Sequence, residues 1–249
     1  MAERIILEEK TYKTVYREGN VIVKEFAPSH PKDNVFSEAY IHSCVEACGV
    51  SIPKILSVGP SNGGWALTME YVEGKTLAQQ MEENPGAVSE YLEKLVDIQL
   101  EIAAFRVPKL RNTRSKMEEI IKSMTEIDAS TRYELLQRIH GMKPHTRLCH
   151  GDFVPSNVIL RQDGSWCVLD WAHATSGNAG ADAAITYMRF SLENPEYADE
   201  YLHLYCRKAD MAVQYVQKWM PVVAAAQLSK HIESEKELLT RWISVAEYQ

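Results

Sequence analysis

The chain has 249 residues, enough for one domain of two lobes or for two small domains. Apolar residues make up 45% and charged residues 24%, an ordinary globular composition, and the net charge of −7 argues against a general nucleic-acid binder. No stretch approaches the roughly 18 consecutive apolar residues of a membrane span, and Met1-Ala2-Glu3-Arg4 does not lead into the apolar core of a signal peptide. Five scattered cysteines without a Cys-x-x-Cys pair point to a reduced, cytoplasmic protein. Cys44 and Cys48 share a helix face and read as core packing rather than as metal ligands.

Residues 4 to 72 read as strand-rich with one helix. Arg4 to Glu8 and Thr14 to Arg17 are expected strands, Glu18-Gly19-Asn20 is a turn, and Val21 to Phe26 is the next strand. A period of two puts Ile22, Lys24 and Phe26 on one side of it. An ammonium between apolar neighbours needs a partner, because burying it alone is expensive. The following helix supplies a candidate. Asp33 or Asn34 is the expected cap, Gly49 the end, and Ile41, Cys44, Val45 and Cys48 the apolar face. Glu38 falls at the edge of that face. Ile52 to Val58 and Trp65 to Val72 are two further strands, joined by Ser61-Asn62-Gly63-Gly64. A first domain of residues 1–72 and a second of residues 73–249 are expected.

From Thr76 the period turns helical. Thr76 with Gln79 makes a capping box for a short helix that Asn84-Pro85-Gly86 ends. Val88, Tyr91, Leu92, Leu95, Gln99, Ile102 and Phe105 share one face of a longer helix, and Gln99 is its polar exception. Residues 107–114 form a basic connector. Met117, Ile120, Ile121, Met124 and Ile127 mark another helix; Thr131 with Glu134 opens the next, which Gly141 ends. Residues 183–249 read as helical, with breaks at Asn194-Pro195 and Met220-Pro221.

The centre of the chain carries the chemistry. It reads Leu148-Cys149-His150-Gly151-Asp152-Phe153-Val154-Pro155-Ser156-Asn157, then an apolar run, a turn, and Trp166-Cys167-Val168-Leu169-Asp170-Trp171. Val158 to Arg161 and Trp166 to Leu169 are two short strands, and Gln162-Asp163-Gly164-Ser165 is a hairpin signal. A hairpin brings its ends together, so Asn157 lies close to Asp170. One amide oxygen and one carboxylate at a strand end suit a hard cation such as Mg²⁺. Asp152, on the same loop, is left to orient a hydroxyl and take its proton.

This His-Gly-Asp, Asn and Asp pattern resembles the catalytic core of the aminoglycoside phosphotransferase and choline kinase family, distant relatives of protein kinases. The resemblance implies an α+β, bilobal protein-kinase-like fold, with a small antiparallel-sheet N-lobe and a mainly helical C-lobe. It implies ATP bound with Mg²⁺ and transfer of the γ-phosphate to a hydroxyl of a small molecule. Asp152 matches the catalytic Asp, Asn157 and Asp170 the metal ligands. Lys24 and Glu38 match the pair that holds the α- and β-phosphates. Glu70 and Val72 match the hinge backbone that meets the purine, with Met69 behind it. His150 and Asp182 match the braces of the catalytic loop; Asp182 also reads as a helix N-cap. The phosphate-covering turn, residues 9–14, departs from the family in having no glycine, and Lys10, Thr11 and Lys13 are its candidate side chains. Only nine residues separate Asp170 and Gly180, too few for a protein-substrate platform, which favours a small acceptor. Residues 193–205 offer both acids and aromatics, so amino sugar, choline, homoserine and sugar remain open as acceptors. A nucleotide-binding module without transfer activity is the reading from another class; a metal-dependent hydrolase has no His-rich ligand set to support it. The expected partner is the small acceptor, not nucleic acid or membrane, and the assembly a monomer or homodimer.

Overall fold

The computed structural model describes residues 3–244, so Met1, Ala2 and the last five positions of the expected C-terminal helical region lie outside the described residues. In chain order, β1 (Arg4–Lys10), β2 (Lys13–Glu18) and β3 (Val21–Phe26) precede α1 (Lys32–Glu46), followed by β4 (Ile55–Ser61), β5 (Gly64–Glu70), β6 (Lys75–Thr76) and α2 (Leu77–Glu83). Then come α3 (Val88–Ala104), α4 (Thr113–Ser123), α5 (Ala129–Gly141), β7 (Arg147–Cys149), β8 (Val158–Leu160), β9 (Trp166–Val168) and β10 (Thr175–Gly177). The chain continues helical through α6 (Ala179–Glu193), α7 (Pro195–Lys208), α8 (Val213–Gln217), α9 (Met220–Leu228) and α10 (Lys236–Ser244). The fold is α+β, as expected: an antiparallel sheet first, helices after.

Two compact units follow from the packing. One holds residues 1–80 and 155–173, the other residues 81–154 and 174–249. Where the sequence divides the chain at residue 72, the hairpin β8–β9 therefore groups with the early sheet.

In the first unit the strands run β1-β2-β3-β5-β4, all antiparallel, so Lys24 sits on the central strand. Phe26, Val35, Leu67 and Met69 form a buried cluster against which Ile22, Ala39, Ile55, Val58 and Trp65 pack. That cluster joins α1 to the sheet face that β3 presents at Ile22, Lys24 and Phe26. Burying each large apolar side chain there contributes about 1.5–3 kcal/mol. α1 begins without a side-chain cap, since Pro31 stands at its N-cap rather than the expected Asp33 or Asn34, and proline's fixed φ already suits a helix start. The strand expected from Ile52 begins only at Ile55, and β5 stops at Glu70.

β8 and β9 pair as the sequence implies, Val158 with Val168 and Leu160 with Trp166. The short β6 adds to β8. Gly74 makes this possible: its φ is +145°, and a Cβ there would lie 2.5 Å from the Leu160 carbonyl oxygen. The capping box at Thr76 and Gln79 forms in both directions, at 2.9 and 3.1 Å.

The second unit is helical around α3, whose Leu92, Leu95, Gln99 and Ile102 are all buried. β7 and β10 form a two-stranded ribbon inside it. Three starts differ from the expected ones. α4 opens at Thr113 under an Asn112 cap, inside the stretch read as a connector, and ends before Met124 and Ile127. α5 is capped by Asp128, whose carboxylate accepts from Ser130 and Thr131, three residues ahead of the expected start. α6 is capped by Asn178 rather than Asp182, which lies in its first turn. Each observed cap is an Asn or Asp whose short side chain reaches back to the first free N–H groups.

Candidate active site

The site builds from Lys24. Only 8% of its surface is exposed, yet its ammonium is paired: Nζ lies 2.7 Å from Glu38 Oε1 and 2.8 Å from Asp170 Oδ1. Burial by itself disfavours the ammonium, but the carboxylates of Asp170 and Glu38 outweigh it and hold its pKa above the ordinary lysine value. Glu38 reaches it because Ala39, its neighbour on α1, is packed on the sheet.

Asp170 is delivered from the other side by the hairpin. Its φ of +55° is left-handed, a conformation Asp tolerates better than most residues and one that turns the chain sharply after β9. The Leu169 N–H donates to the Asn157 carbonyl at 2.8 Å, which places Asn157 beside the end of β9. Trp171, 1% exposed, anchors the next turn and donates its indole N–H to the Val168 carbonyl at 2.9 Å. The hairpin is also tied to the segment after α1: the Ser51 hydroxyl donates to Trp166 at 2.7 Å, and Val168 N–H to Ser51 at 2.9 Å.

By residue type, the end of this hairpin would offer a hard cation the amide oxygen of Asn157 and a carboxylate oxygen of Asp170. Among the described residues no group of three His, Cys, Asp or Glu side chains makes a complete metal cage. A cation held here would complete its shell with phosphate oxygens and water, the usual habit of Mg²⁺.

Lys13 is a residue the sequence left unassigned. Its Nζ is 4.0 Å from Asp170 Oδ2 and 3.1 Å from Glu8. β2 pairs Lys13 with Phe26 and Val15 with Lys24, so Lys13 shares the sheet face of Lys24. This register singles it out from Lys10 and Thr11. The glycine-free turn is a two-residue hairpin, Thr11-Tyr12, whose Tyr12 carbonyl accepts from Ala27 at 2.9 Å. Lys10, at 2.5 Å from Glu8, is held above its ordinary pKa chiefly by that hydrogen bond.

The expected hinge residues fall at the end of β5. Met69 is buried in the cluster under α1. Glu70 N–H donates to Lys54, and Tyr71 N–H to Asn20, both at 3.0 Å. Val72 lies two residues past the end of the strand, and the Arg17 guanidinium lies 3.6 Å over the Tyr71 ring.

Asp152 belongs to the second unit, on the loop after β7. Gly151 has φ +82°, and the Asp152 N–H donates to Nδ1 of the fully buried His150 at 3.2 Å. Asp182 accepts the Gly151 N–H at 2.7 Å and the Gln99 amide at 3.3 Å. Burial raises the Asp182 pKa, while the Gly151 N–H, His150 and Gln99 offset part of that rise. The Thr186 hydroxyl donates to the Phe153 carbonyl at 2.9 Å, and the Tyr201 hydroxyl to Gln99 at 2.6 Å. The loop is thus clamped by α3, α6 and α7, and the polar exception on α3 is explained.

Arg189 is a residue that sequence reasoning missed. Its Nε lies 3.3 Å from Asp152 Oδ1, with Glu193 at 2.5 Å and Glu235 at 3.9 Å from its terminal nitrogens. A signal existed: Asp182, Thr186, Arg189 and Glu193 recur at helical spacing on one face of α6.

Two constellations result: Lys24, Glu38, Asp170 and Lys13 with Asn157 adjacent, and His150, Asp152, Asp182 and Arg189. The model of the phosphotransferase enzyme family, APH, matches residues 7–215. The chain belongs to that family. A thermostable mutant of aminoglycoside phosphotransferase APH(4)-Ia in its apo form is similar at 15% identity, over 99% of this chain and 94% of that one, with a TM-score of 0.72. The choline kinase of Streptococcus pneumoniae is similar at 15% identity, over 97% and 93%, with a TM-score of 0.67. A choline/ethanolamine kinase family protein from Mesorhizobium loti is similar at 14% identity, over 98% and 85%, with a TM-score of 0.60. The likeness establishes a shared protein-kinase-like fold. A further variant of that thermostable mutant has been solved as a ternary complex with ADP and hygromycin B. No curated protein matches the chain by sequence.

Proposed function

We propose that this member of the family is a small-molecule kinase, moving the γ-phosphoryl group of ATP to an acceptor hydroxyl. The observation that carries the reading is Lys24, buried on the central strand and held between Glu38 and Asp170. A buried ammonium with two carboxylates is costly to assemble for stability alone. It is the arrangement that presents a fixed positive charge to nucleotide phosphates.

In this reading Lys24 binds the α- and β-phosphates, with Lys13 as a second cation toward them. The backbone at Glu70 and Val72 meets the purine in front of Met69. Asn157 and Asp170 would hold Mg²⁺, which would neutralise phosphate charge. Asp152 orients the acceptor hydroxyl and takes its proton as the new O–P bond forms and the bond to the β,γ-bridging oxygen breaks, releasing ADP. His150 and Asp182 fix the loop that carries Asp152. Catalysis is chiefly positioning and charge neutralisation.

The solved relatives act on choline or bind hygromycin B, and these set the first acceptors to try. The test is purified protein with ATP and Mg²⁺ against amino sugars, choline, homoserine and neutral sugars, following ADP. ADP release that one acceptor class stimulates supports the proposal. Nucleotide-induced thermal stabilisation with no turnover on any acceptor would favour a binding module instead.

A further inference from the structure

A cavity of about 620 Å³ opens within the second unit, apart from every residue placed in the candidate site. Its size falls in the range of small-ligand pockets. The floor is apolar, made by the buried Met142 and Tyr205 with Leu100 and Met211. The rim is basic: Lys143, Arg147 and Lys218 carry three positive charges, His145 stands beside them, and Asp210 is the one carboxylate. On a chain with a net charge of −7 this is a local reversal of sign. Such a reversal raises the local concentration of anions and repels cations.

The walls are firm. The Tyr205 hydroxyl donates to the Ala179 carbonyl at 3.2 Å, and the Asn178 amide donates to the Tyr215 hydroxyl at 2.5 Å. Gly180 lets Tyr215 close in, since a Cβ there would sit 2.9 Å from the Tyr215 ring. The Arg147 guanidinium donates to the Ala103 carbonyl at 3.3 Å, which fixes it at the mouth.

We propose that this cavity is a second binding site that takes a small amphipathic anion, with one carboxylate, phosphate or sulfonate head on an apolar body. The head meets Lys143, Arg147 and Lys218, and the body covers Leu100, Met142 and Tyr205. An occupant would touch Arg147, the first residue of β7, and Ala179, the first of α6. β7 leads directly into His150, and α6 supplies Asp182. The proposal does not depend on the phosphotransfer reading.

Calorimetric titration tests it with octanoate, acetate and octylammonium as probes. Octanoate binds the wild type, acetate much more weakly, and octylammonium not measurably. The double variant Lys143→Glu/Lys218→Glu, which changes no residue of the candidate site, weakens octanoate about tenfold or more on the scale of exposed ion pairs. It also begins to bind octylammonium. Unchanged melting of the variant separates this from misfolding. Absence of octanoate binding at millimolar concentration, equal binding of octanoate and octylammonium by the wild type, or equal octanoate affinity in the variant would each overturn the assignment.

Discussion

Replacing Lys24 with Met removes the ammonium from two contacts, 2.7 Å to Glu38 and 2.8 Å to Asp170, and leaves the two carboxylates facing the same space. A hydrogen bond to a charged group is worth about 1.5–3 kcal/mol net, and breaking a buried pair costs about 3–5 kcal/mol. Glu38's side chain is 16% exposed and Asp170's 34%, so water recovers part of the loss at Asp170. The expected loss for Lys24→Met is about 4 kcal/mol, which for a chain of this length lowers Tm by roughly 8–16 °C. Thermal melts in metal-free, nucleotide-free buffer of the wild type, Lys24→Met, Glu38→Gln and the double variant give the measurement. Glu38→Gln costs less in the Lys24→Met background than in the wild type by about 1.5–3 kcal/mol, because the repulsion is relieved there. A Lys24→Met melt within about 2 °C of wild type, or identical costs of Glu38→Gln in both backgrounds, would refute the pairing.

Three further outcomes follow from named contacts. Asp152→Asn lowers acceptor-dependent turnover by about a hundredfold or more and leaves nucleotide affinity intact, on the scale of acid–base and positioning residues; an equal drop in both would sink its assigned role. Arg189→Met, which frees Asp152, Glu193 and Glu235 from their shared cation, lowers kcat by about tenfold, and Arg189→Lys restores part of it; a change confined to melting temperature would make Arg189 merely structural. Lys116 titrates near pH 8, pushed down by burial and then by the positive charges of Lys230 and Arg111. Its unfolded-state value is the ordinary 10.5, so between these pH values the unfolded chain holds more protons. The penalty is present in full below about pH 8, and stability rises as pH climbs from there toward about 10.5. Lys116→Met stabilises by about 1–2 kcal/mol at pH 7 and flattens that rise; parallel pH profiles of Tm for variant and wild type would count against the shift.

Much of the site was legible because its parts are local in sequence. The hairpin from Val158 to Val168 is short and strongly signalled, so the nearness of Asn157 and Asp170 follows from chain connectivity alone. Lys24 and Glu38 were legible through a violation: a lysine on an apolar strand face demands a partner, and the next helix offers one. What stayed hidden depends on register or on competition between caps. Lys13 was one of three candidates in the turn, and the pairing of β2 with β3 is what singles it out by placing it on Lys24's face. Asp182 read both as a brace of the loop and as a cap; Asn178 stands four residues earlier and takes the cap, while Asp182 holds the Gly151 N–H. Asp128 likewise outcompeted Thr131 at the start of α5, since its carboxylate satisfies two N–H groups at once. Arg189 was hidden because two of its partners, Asp152 and Glu235, lie on segments distant in sequence, and only Glu193 shares its helix.

In the proposed function, Asp170, delivered by the hairpin to Lys24, grips both metal and nucleotide phosphates. Calorimetric titration of Asp170→Ala with a non-hydrolysable ATP analogue, with and without Mg²⁺, measures this with no acceptor needed. The wild type binds in a Mg²⁺-dependent way and the variant does not bind; equal affinity of the two proteins for the Mg²⁺-bound analogue would overturn the role of Asp170.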